Sequence, residues 1–404
     1  MKRKLVSVLL GLLAISMLAS CGNTSKNKST KTTTTSTKSG KEEEDFDYSK
    51  AQSADLEVLS YDGDSRASLT LGLRFDYGIQ GENQNYQEAK KWYESSATQG
   101  NSNAMVHLGY LYLFGLGTEQ DLTKSMNYFN NAATAGNADG YAGLGRYYLN
   151  NPSIPDAASL AYSNIKTACD EDNTMGIYLM GYLYEKGIGV TQDTNTAITY
   201  YEKLIETTPS DVSKVKRYPY QEAYVRRSLI YLQSVLGDPT AGVTNTNPEG
   251  DTKDEDKENA DKEQALKLLK TCAESSYAPA EYYLGIVYEK GIGTSVSYSN
   301  AISYFEKASK KDYAPAQNRL GYIYFNGLGV DVDYNQSAYY QKLAAAQGYA
   351  AAQVNLGYLY EKGLGVDKNL NLARQYYQMA ANQNFGGAEE SVLRVDQLIS
   401  EQAK

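Results

Sequence analysis

The chain has 404 residues, 42% of them hydrophobic and 22% charged, a composition compatible with a packed core. Its formal net charge is −9 at pH 7, which argues against nucleic acid as a ligand because an acidic protein repels phosphate backbones. One histidine and three cysteines argue against most histidine-based catalysis and against a disulfide framework. The 38 tyrosines, against 7 phenylalanines, indicate a repeated unit with tyrosine at fixed positions.

Residues 1–20 have the features of a secretory signal peptide. Three basic residues precede an apolar stretch, 5–19, that is shorter than the roughly 20 residues of a membrane-spanning helix. The sequence Leu18-Ala19-Ser20-Cys21 resembles the lipobox of bacterial lipoproteins. That resemblance implies diacylation of Cys21, and two acyl chains are enough for stable membrane anchoring. The alternatives are an ordinary signal peptide followed by a chance cysteine, or an uncleaved membrane anchor.

Residues 21–45 predict a lipidated cysteine followed by a flexible tether. Residues 22–41 are almost all Ser, Thr, Lys, Asn and Gly, and they offer no aromatic or large apolar side chain for a core. Such a segment would hold a domain away from a membrane surface. Residues 46–66 then form a short lead-in.

From residue 67 to residue 384 the chain repeats with a period near 36. A Leu-Gly dipeptide marks most repeats, and successive glycines are 37, 36 and 36 residues apart, then 104, then 36 and 36. The long gap contains a degraded repeat and two insertions, near 205–219 and 237–262. The marking residues of the eight repeats are Gly72, Gly109, Gly145, Gly181, Ser228, Gly285, Gly321 and Gly357.

Each repeat contains two amphipathic helical patterns. The first carries Leu-Gly and, in most repeats, a Tyr three positions later, and it usually ends at a Gly-x-Gly turn whose glycines should have positive φ. The second carries Ala, a bulky residue three or four positions later, and further Ala near its end. Because one helix pair cannot bury its apolar face alone, the pairs must stack. Expected N-caps of second helices are Asp121, Asp156, Thr194 and Ser299.

The pattern Ala-x4-Gly-x2-Tyr-x2-Gly-x-Gly-Val-x2-Asp, followed by Ala-x2-Tyr-x4-Ala, closely resembles the Sel-one-like repeat, a relative of the tetratricopeptide repeat. The resemblance covers about four-fifths of the chain, and residues 183–193 and 359–367 match almost throughout. It implies an all-α fold, a right-handed α-α superhelix (solenoid) of about eight helix pairs. Residues 385–404 predict a C-terminal capping helix. The family resemblance also implies an adaptor role in assembling or regulating membrane complexes.

No constellation of residues predicts a catalytic, cofactor or metal site. The Gly-x-Gly turns follow helices, whereas phosphate-binding loops follow strands. His107 occupies a position that varies among the repeats, so we expect a solvent-facing side chain. The acidic run 249–263 lacks the spacing of a calcium loop and predicts a solvated loop. We therefore expect no enzymatic activity, no cofactor and no bound metal.

Cys169 and Cys272 fall at small-residue positions of second helices, so we expect both to be core thiols. A whole repeat separates them, while a disulfide needs Cα atoms within about 7 Å, so we expect no bond between them. Some secreted members of the family pair two cysteines within each repeat and are linked to binding of β-lactams. This chain lacks that pattern, and the activity does not transfer to it.

Variable positions on the first helices predict a partner-binding stripe with i, i+3, i+7 spacing. In related solenoids the first helices line the concave surface, and Tyr and Arg are typical hot-spot residues. The alternative is that Tyr110, Tyr182, Tyr322 and Tyr358 pack between repeats, and burial of all four rings would exclude the groove. The candidate partner-binding residues are Tyr110, Phe114, Arg146, Tyr182, Arg226, Tyr283, Arg319, Tyr322, Asn355 and Tyr358.

The sequence thus predicts an extracytoplasmic protein, lipid-anchored to a bacterial membrane, that binds a protein or peptide through its repeat groove. Two other functions are open. The Tyr-rich groove could capture glycans or small peptides. A hydrolase acting on the cell wall or on β-lactam-like amides would need a nucleophile and a base that the sequence does not offer.

Overall fold

The computed structural model of the protein describes residues 46–207, 220–236 and 255–402. The predicted signal peptide, Cys21, the predicted tether and most of both insertions lie outside these residues. The described part is helical and contains no β-strand. Its helices are α1 (Ser53–Tyr61), α2 (Ser65–Tyr77), α3 (Tyr86–Thr98), α4 (Ser102–Phe114), α5 (Leu122–Thr134), α6 (Ala138–Asn150), α7 (Ala157–Asp170), α8 (Thr174–Lys186), α9 (Thr194–Glu206), α10 (Tyr220–Leu236), α11 (Glu255–Ala273), α12 (Ala278–Lys290), α13 (Tyr298–Ser309), α14 (Ala314–Asn326), α15 (Tyr334–Ala346), α16 (Ala350–Lys362), α17 (Leu370–Ala381) and α18 (Ala388–Gln402).

Helices α2 to α17 form consecutive pairs, one pair for each sequence repeat, with α1 before them and α18 after them. The even-numbered helices α2 to α16 are the first helices, and the odd-numbered helices α3 to α17 are the second helices. Most helices that are neighbours in the chain within one unit pack against each other. The expected all-α array of helix pairs is confirmed.

The chain divides into two compact units, with the boundary inside α9 between Tyr200 and Tyr201. The N-terminal unit, as described, comprises residues 46–200. The C-terminal unit comprises the described residues from 201 to 402. Each contains its own hydrophobic clusters, built from both helices of successive repeats.

The Leu-Gly dipeptide has a packing role. The leucine is buried in the core. In four repeats the glycine lies against an aromatic ring of the second helix in the same repeat, at Gly72, Gly109, Gly285 and Gly357. At Gly357, a Cβ would lie 2.9 Å from the Tyr377 ring, closer than real Cβ contacts. A methyl group there would separate the two helices, so glycine is needed for the close approach.

The Gly-x-Gly turn has the expected conformation. Gly363 and Gly365 have φ of 73° and 64°. Gly363 ends α16 in the left-handed region, where a side chain is strained. A Cβ on Gly365 would overlap the carbonyl oxygen of Tyr334 at the start of α15 in the preceding repeat. The turn is therefore a structural feature of helix ends and helix packing.

Two of the four expected N-cap positions, Asp121 and Asp156, are confirmed, and the other two are corrected. Asp121 accepts the Lys124 backbone N–H at 2.9 Å, as expected. Asp156 has the N-cap position of α7 but makes no side-chain cap bond, because its φ of 58° is left-handed. At the start of α9, the capping side chain is that of Asp193 and not of Thr194. Its Oδ1 accepts the backbone N–H groups of Asn195 and Thr196. Likewise Ser297, two residues before Ser299, caps α13.

Many of the tyrosines form stacked pairs within a repeat. A tyrosine of the first helix stacks on a tyrosine 16 positions later in the second helix, with centroids 5.7–5.9 Å apart and interplanar angles of 4–13°. Such pairs contribute roughly 0.5–1.5 kcal/mol each beyond their buried area. The pairs are Tyr112–Tyr128, Tyr184–Tyr200, Tyr288–Tyr304, Tyr324–Tyr340 and Tyr360–Tyr376.

Candidate functional site

The four stripe tyrosines differ in exposure. Tyr110 is 3% exposed and Tyr182 is half-buried, whereas Tyr322 and Tyr358 are 43% and 40% exposed. The expectation that the stripe tyrosines are buried by packing between repeats therefore holds for Tyr110, but not for the exposed Tyr322 and Tyr358 on α14 and α16. The C-terminal unit carries the exposed part of the predicted stripe.

In the N-terminal unit the stripe packs into the core. Tyr110 lies edge-on against Phe129 of α5, with centroids 4.9 Å apart, and the half-buried Phe114 stacks beside it at 6.3 Å. The next repeat carries Gly143 at the position where other repeats have a side chain. A Cβ at Gly143 would overlap the Phe129 ring, so α6 approaches this aromatic cluster closely. Tyr110 is buried as a result.

Arg146, on the same stripe in α6, is also buried at 6% exposure. Its Nε is buried and has no hydrogen-bond partner among the described residues. The same holds for the side-chain Nδ2 of Asn150, one turn later on α6. This repeat thus keeps two buried, unsatisfied donors, an arrangement that lowers stability.

The expectation that His107 faces solvent is wrong. Its side chain is fully buried and stacks on Tyr93 with centroids 4.7 Å apart. Its Nδ1 lies 3.7 Å from Oδ2 of Asp76, an oxygen that also accepts the Tyr93 hydroxyl at 2.7 Å. Position 107 faces a residue of the preceding first helix, here Asp76. It varies among repeats because the two facing residues must be complementary in size and charge.

The C-terminal unit has the same type of link between successive first helices. Arg319 of α14 donates through Nε to Oε2 of Glu289 on α12 at 2.7 Å, and a second guanidinium nitrogen contacts the other oxygen. Arg394 of α18 donates to Glu361 of α16 at 2.7 Å. A signal for these links was in the sequence, since each acid, like Asp76, follows its marking glycine by four positions.

The exposed surface on α14 and α16, which we call the aromatic face, consists of Tyr322, Phe325 and Tyr358 with Arg319 and Lys362. The Arg319 guanidinium lies 4.9 Å from the centre of the Tyr322 ring, and the Lys362 ammonium 5.7 Å from that of Tyr358. Phe325 packs edge-on against Tyr358 at 6.0 Å. The exposed rings are therefore held in place by cation–π and edge-to-face contacts before any partner binds.

Asn355, also predicted, joins the two helices beneath this face. Its side-chain Nδ2 donates to Oδ1 of Asn318 at 3.0 Å, so α14 and α16 are linked where Asn355 is half-buried. Asn318 was not expected from the sequence.

The remaining predicted residues of this unit lie in a more buried region. Arg226 donates to Oε1 of Glu222 at 3.1 Å, and the Tyr277 hydroxyl donates to Oε2 at 2.8 Å. Tyr283 packs edge-on against Tyr282 at 5.1 Å, and both rings are half-buried. These side chains make their contacts within the protein, so they support the aromatic face and do not extend it.

Additional tyrosines line this region that the sequence did not single out. Tyr313 precedes α14, and its ring lies 5.5 Å from that of Tyr282. Burial raises the pKa of both phenols well above the ordinary value. They are neutral at physiological pH and can act as hydrogen-bond donors.

The described residues contain no group of three or more His, Cys, Asp or Glu side chains that could hold a metal ion. Cys272 is a core thiol as expected, and burial raises its pKa, so the nucleophilic thiolate does not form. Cys169 differs from expectation, being only half-buried. None of the helices in the described ranges is long and apolar enough to cross a membrane.

The model of the Sel1 repeat matches residues 66–101, 102–137, 174–206, 278–313, 314–349 and 350–385, just over half of the chain. The chain belongs to the Sel1 repeat family. Repeats of this family generally mediate protein–protein interaction, and scaffolds built from them are generally non-catalytic.

The chain is similar to solved structures of low sequence identity. A Sel1 repeat protein from Oxalobacter formigenes matches with a TM-score of 0.50 and 22% identity, over 85% of this chain and 90% of that one. A protective antigen of uropathogenic Escherichia coli with the Sel1-like repeat fold, c5321, is 22% identical over 86% of this chain and 91% of its own, with a TM-score of 0.30. At this identity, the first of these supports the fold alone.

Proposed function

We propose that this protein is a membrane-anchored scaffold whose aromatic face binds a protein partner. One observation carries the proposal: Tyr322 and Tyr358 are exposed at equivalent positions of successive repeats. Most other tyrosines of the fold are at least half-buried, many of them in stacked pairs. An exposed pair of large rings on adjacent first helices is typical of a binding surface.

The local contacts favour binding. Because Arg319 and Phe325 already restrict the two rings, little side-chain freedom is lost when a partner covers them. The rings lie on adjacent helices, which pack roughly 10 Å apart, so a ligand that touches both must be longer than one small sugar or amino acid. A polypeptide segment fits this requirement.

The binding proposal is tested by site-specific photo-crosslinking in membranes of the native host. A photo-reactive phenylalanine analogue replaces Tyr322 or Tyr358. The matched control replaces Tyr339, which is exposed on the second helix α15. We expect a discrete protein adduct from the first two positions and none from the third. Equal labelling at all three positions would contradict the proposal.

The paired variant Tyr322→Ala with Tyr358→Ala should lose the adduct at a third aromatic-face position, Phe325, while the thermal unfolding midpoint stays within a few degrees. A glycan array provides the competing outcome. Specific glycan binding that this variant abolishes, without any protein adduct, would replace the scaffold proposal by glycan capture.

We also propose that Cys21 carries the lipid anchor on the extracytoplasmic side. The basic and apolar segment before it and the Leu-Ala-Ser-Cys sequence support this proposal. Cys21→Ser should abolish incorporation of labelled palmitate and release the protein from the membrane fraction, while Cys169→Ser, the control, should change neither. Retained label in the first variant would exclude Cys21 as the lipidation site.

A further inference from the structure

We infer that the partner of the aromatic face presents carboxylates, as an acidic extended polypeptide segment. This inference rests on the proposed function and narrows the chemistry of its ligand. Its basis is the distribution of charge on the first helices of the C-terminal unit.

Every carboxylate on α10, α12, α14 and α16 is buried. There are four of them in these helices as the structure describes them, and each is at most 6% exposed. They are Glu222, Glu281, Glu289 and Glu361. A partner that approaches the first helices therefore meets none of their negative groups directly.

The chain's own donors satisfy these carboxylates. Glu281 accepts from the Lys311 ammonium at 2.6 Å. Glu361 accepts from Arg394, from the Lys362 ammonium at 2.8 Å and from the Tyr377 hydroxyl at 3.0 Å, and these contacts hold its pKa at about 2. Glu361 is therefore ionised at physiological pH, and the carboxylate oxygens of these acids accept hydrogen bonds from within the fold.

The cations of the same four helices are distributed differently. Lys290 and Lys362 are exposed, Arg226 and Arg319 are half-buried, and only Arg227 is buried. Lys290 and Lys362 occupy the same position in repeats six and eight, each directly after a buried glutamate. The surface that these helices present thus combines positive charge with exposed tyrosine rings.

This positive surface belongs to a protein with a net charge of −9. Such local complementarity selects an anionic ligand and accelerates its association, while the remaining negative charge repels large polyanions such as nucleic acid. A short acidic segment experiences the local surface more than the distant charges, because charges beyond about 8–10 Å are screened at physiological salt.

The spacing of the lysines defines the segment further. Two repeats separate Lys290 from Lys362, which corresponds to roughly 20 Å at about 10 Å per repeat. An extended chain covers this distance in about six residues. The fitting ligand has acidic residues about six positions apart, with an aromatic or apolar residue between them that can contact Tyr322.

An array of synthetic twelve-residue peptides tests the inference with the folded protein. The array varies the number and spacing of glutamates around a central tyrosine, and each peptide has a counterpart with glutamine in place of glutamate. We expect the strongest binding from peptides with two glutamates about six residues apart, and binding at least about fivefold weaker from their glutamine counterparts. Equal binding of both series, or no binding of the acidic series, would overturn the inference.

A charge variant identifies the surface used. Lys290→Gln with Lys362→Gln should weaken binding of the best acidic peptide at least about fivefold, measured by fluorescence anisotropy. The matched control is Lys307→Gln with Lys342→Gln, which removes two exposed lysines of the second helices α13 and α15. Both lie over tyrosine rings, as Lys362 does. The control should change binding less than twofold, and an equal loss in both variants would overturn the inference.

The failure of this inference differs from the failure of the proposed function. If crosslinking at Tyr322 captures a protein and Lys290→Gln with Lys362→Gln leaves that adduct unchanged, the scaffold function stands and the acidic ligand is excluded. A single-stranded twelve-nucleotide DNA that binds as well as the best peptide, and with the same salt dependence, would also exclude it. Absence of any adduct at Tyr322 and Tyr358 would instead remove the proposed function itself.

Discussion

The two units contain the same stripe in the same register, yet they use it differently. Tyr110 in the N-terminal unit and Tyr322 in the C-terminal unit both follow the glycine of their Leu-Gly dipeptide. The first is 3% exposed and the second 43%. Register within a repeat therefore does not decide whether a side chain reaches solvent.

The neighbouring side chains decide it. In the N-terminal unit, Phe129 supplies a ring against which Tyr110 packs, and Gly143 leaves room for close approach of the next repeat. In the C-terminal unit, Gln341 occupies the place of Phe129 against the marking glycine, and Asn355 occupies the place of Gly143. A polar, wider interface leaves the Tyr322 ring at the surface.

The largest effect expected from this comparison is on stability. Tyr110→Ala should lower the free energy of unfolding by about 3–5 kcal/mol, because it removes a buried aromatic side chain. Tyr322→Ala should lower it by less than about 1 kcal/mol, because the ring is exposed. Urea unfolding followed by circular dichroism measures both. Similar losses in the two variants would contradict the assignment of one ring to the core and the other to a binding surface.

A smaller effect distinguishes the two stripe arginines. Arg319→Met leaves Glu289 buried without its guanidinium partner and should destabilise the protein by about 3 kcal/mol. Arg146→Met removes a buried guanidinium whose Nε is unsatisfied, and it should leave stability unchanged or raise it by about 1 kcal/mol. Thermal unfolding at neutral pH measures both changes. A destabilisation by Arg146→Met as large as that by Arg319→Met would show that Arg146 has a stabilising partner.

The smallest effect is a pH dependence of the link between α16 and α18. Contacts with Arg394, Lys362 and Tyr377 lower the pKa of Glu361 from 4.5 to about 2, so this carboxylate stabilises the fold above about pH 4.5. That contribution, about 1–2 kcal/mol after allowance for partial solvent exposure of the partners, is lost as the pH falls through about 2. Glu361→Gln should therefore reduce the loss of stability between pH 4.5 and pH 2. The free energy of unfolding in urea is measured between pH 4.5 and pH 2. The same decrease in the variant and the parent protein would show that Glu361 does not contribute to the acid sensitivity.

The sequence predicted most of the fold. The 36-residue spacing of Leu-Gly placed the first helices, and the Gly-x-Gly turns were correctly expected to have positive φ, because both depend on contacts within one repeat. Helix starts were less accurate. Ser297 and Asp193 cap helices for which residues one or two positions later were expected, since several neighbouring polar residues could each act as a cap.

The site was predicted in part. The residues at the surface of α14 and α16 were among those named, but the sequence did not separate them from buried equivalents such as Tyr110. Burial of His107 and the pairing of Arg319 with Glu289 depend on contacts between residues about 30 positions apart in different repeats. A comparison of the repeats at one position does not reveal such a pair. The residue at that position changes from repeat to repeat together with its contact residue at another position of the preceding repeat.

The stacked tyrosines determine what happens when a repeat is gained or lost. Both rings of a pair, 16 positions apart, lie within one repeat of about 36 residues. A repeat that is duplicated or deleted therefore keeps or removes the stacking contact between its own two helices as a whole. The ion pairs Arg319–Glu289 and Arg394–Glu361 join one repeat to the next helix pair or to the capping helix. When a repeat is inserted or deleted, the residues at such an interface must again be complementary in charge. The array can therefore change length by whole repeats with little loss of stability inside each helix pair. The ion pairs between repeats, in contrast, depend on which repeats are neighbours.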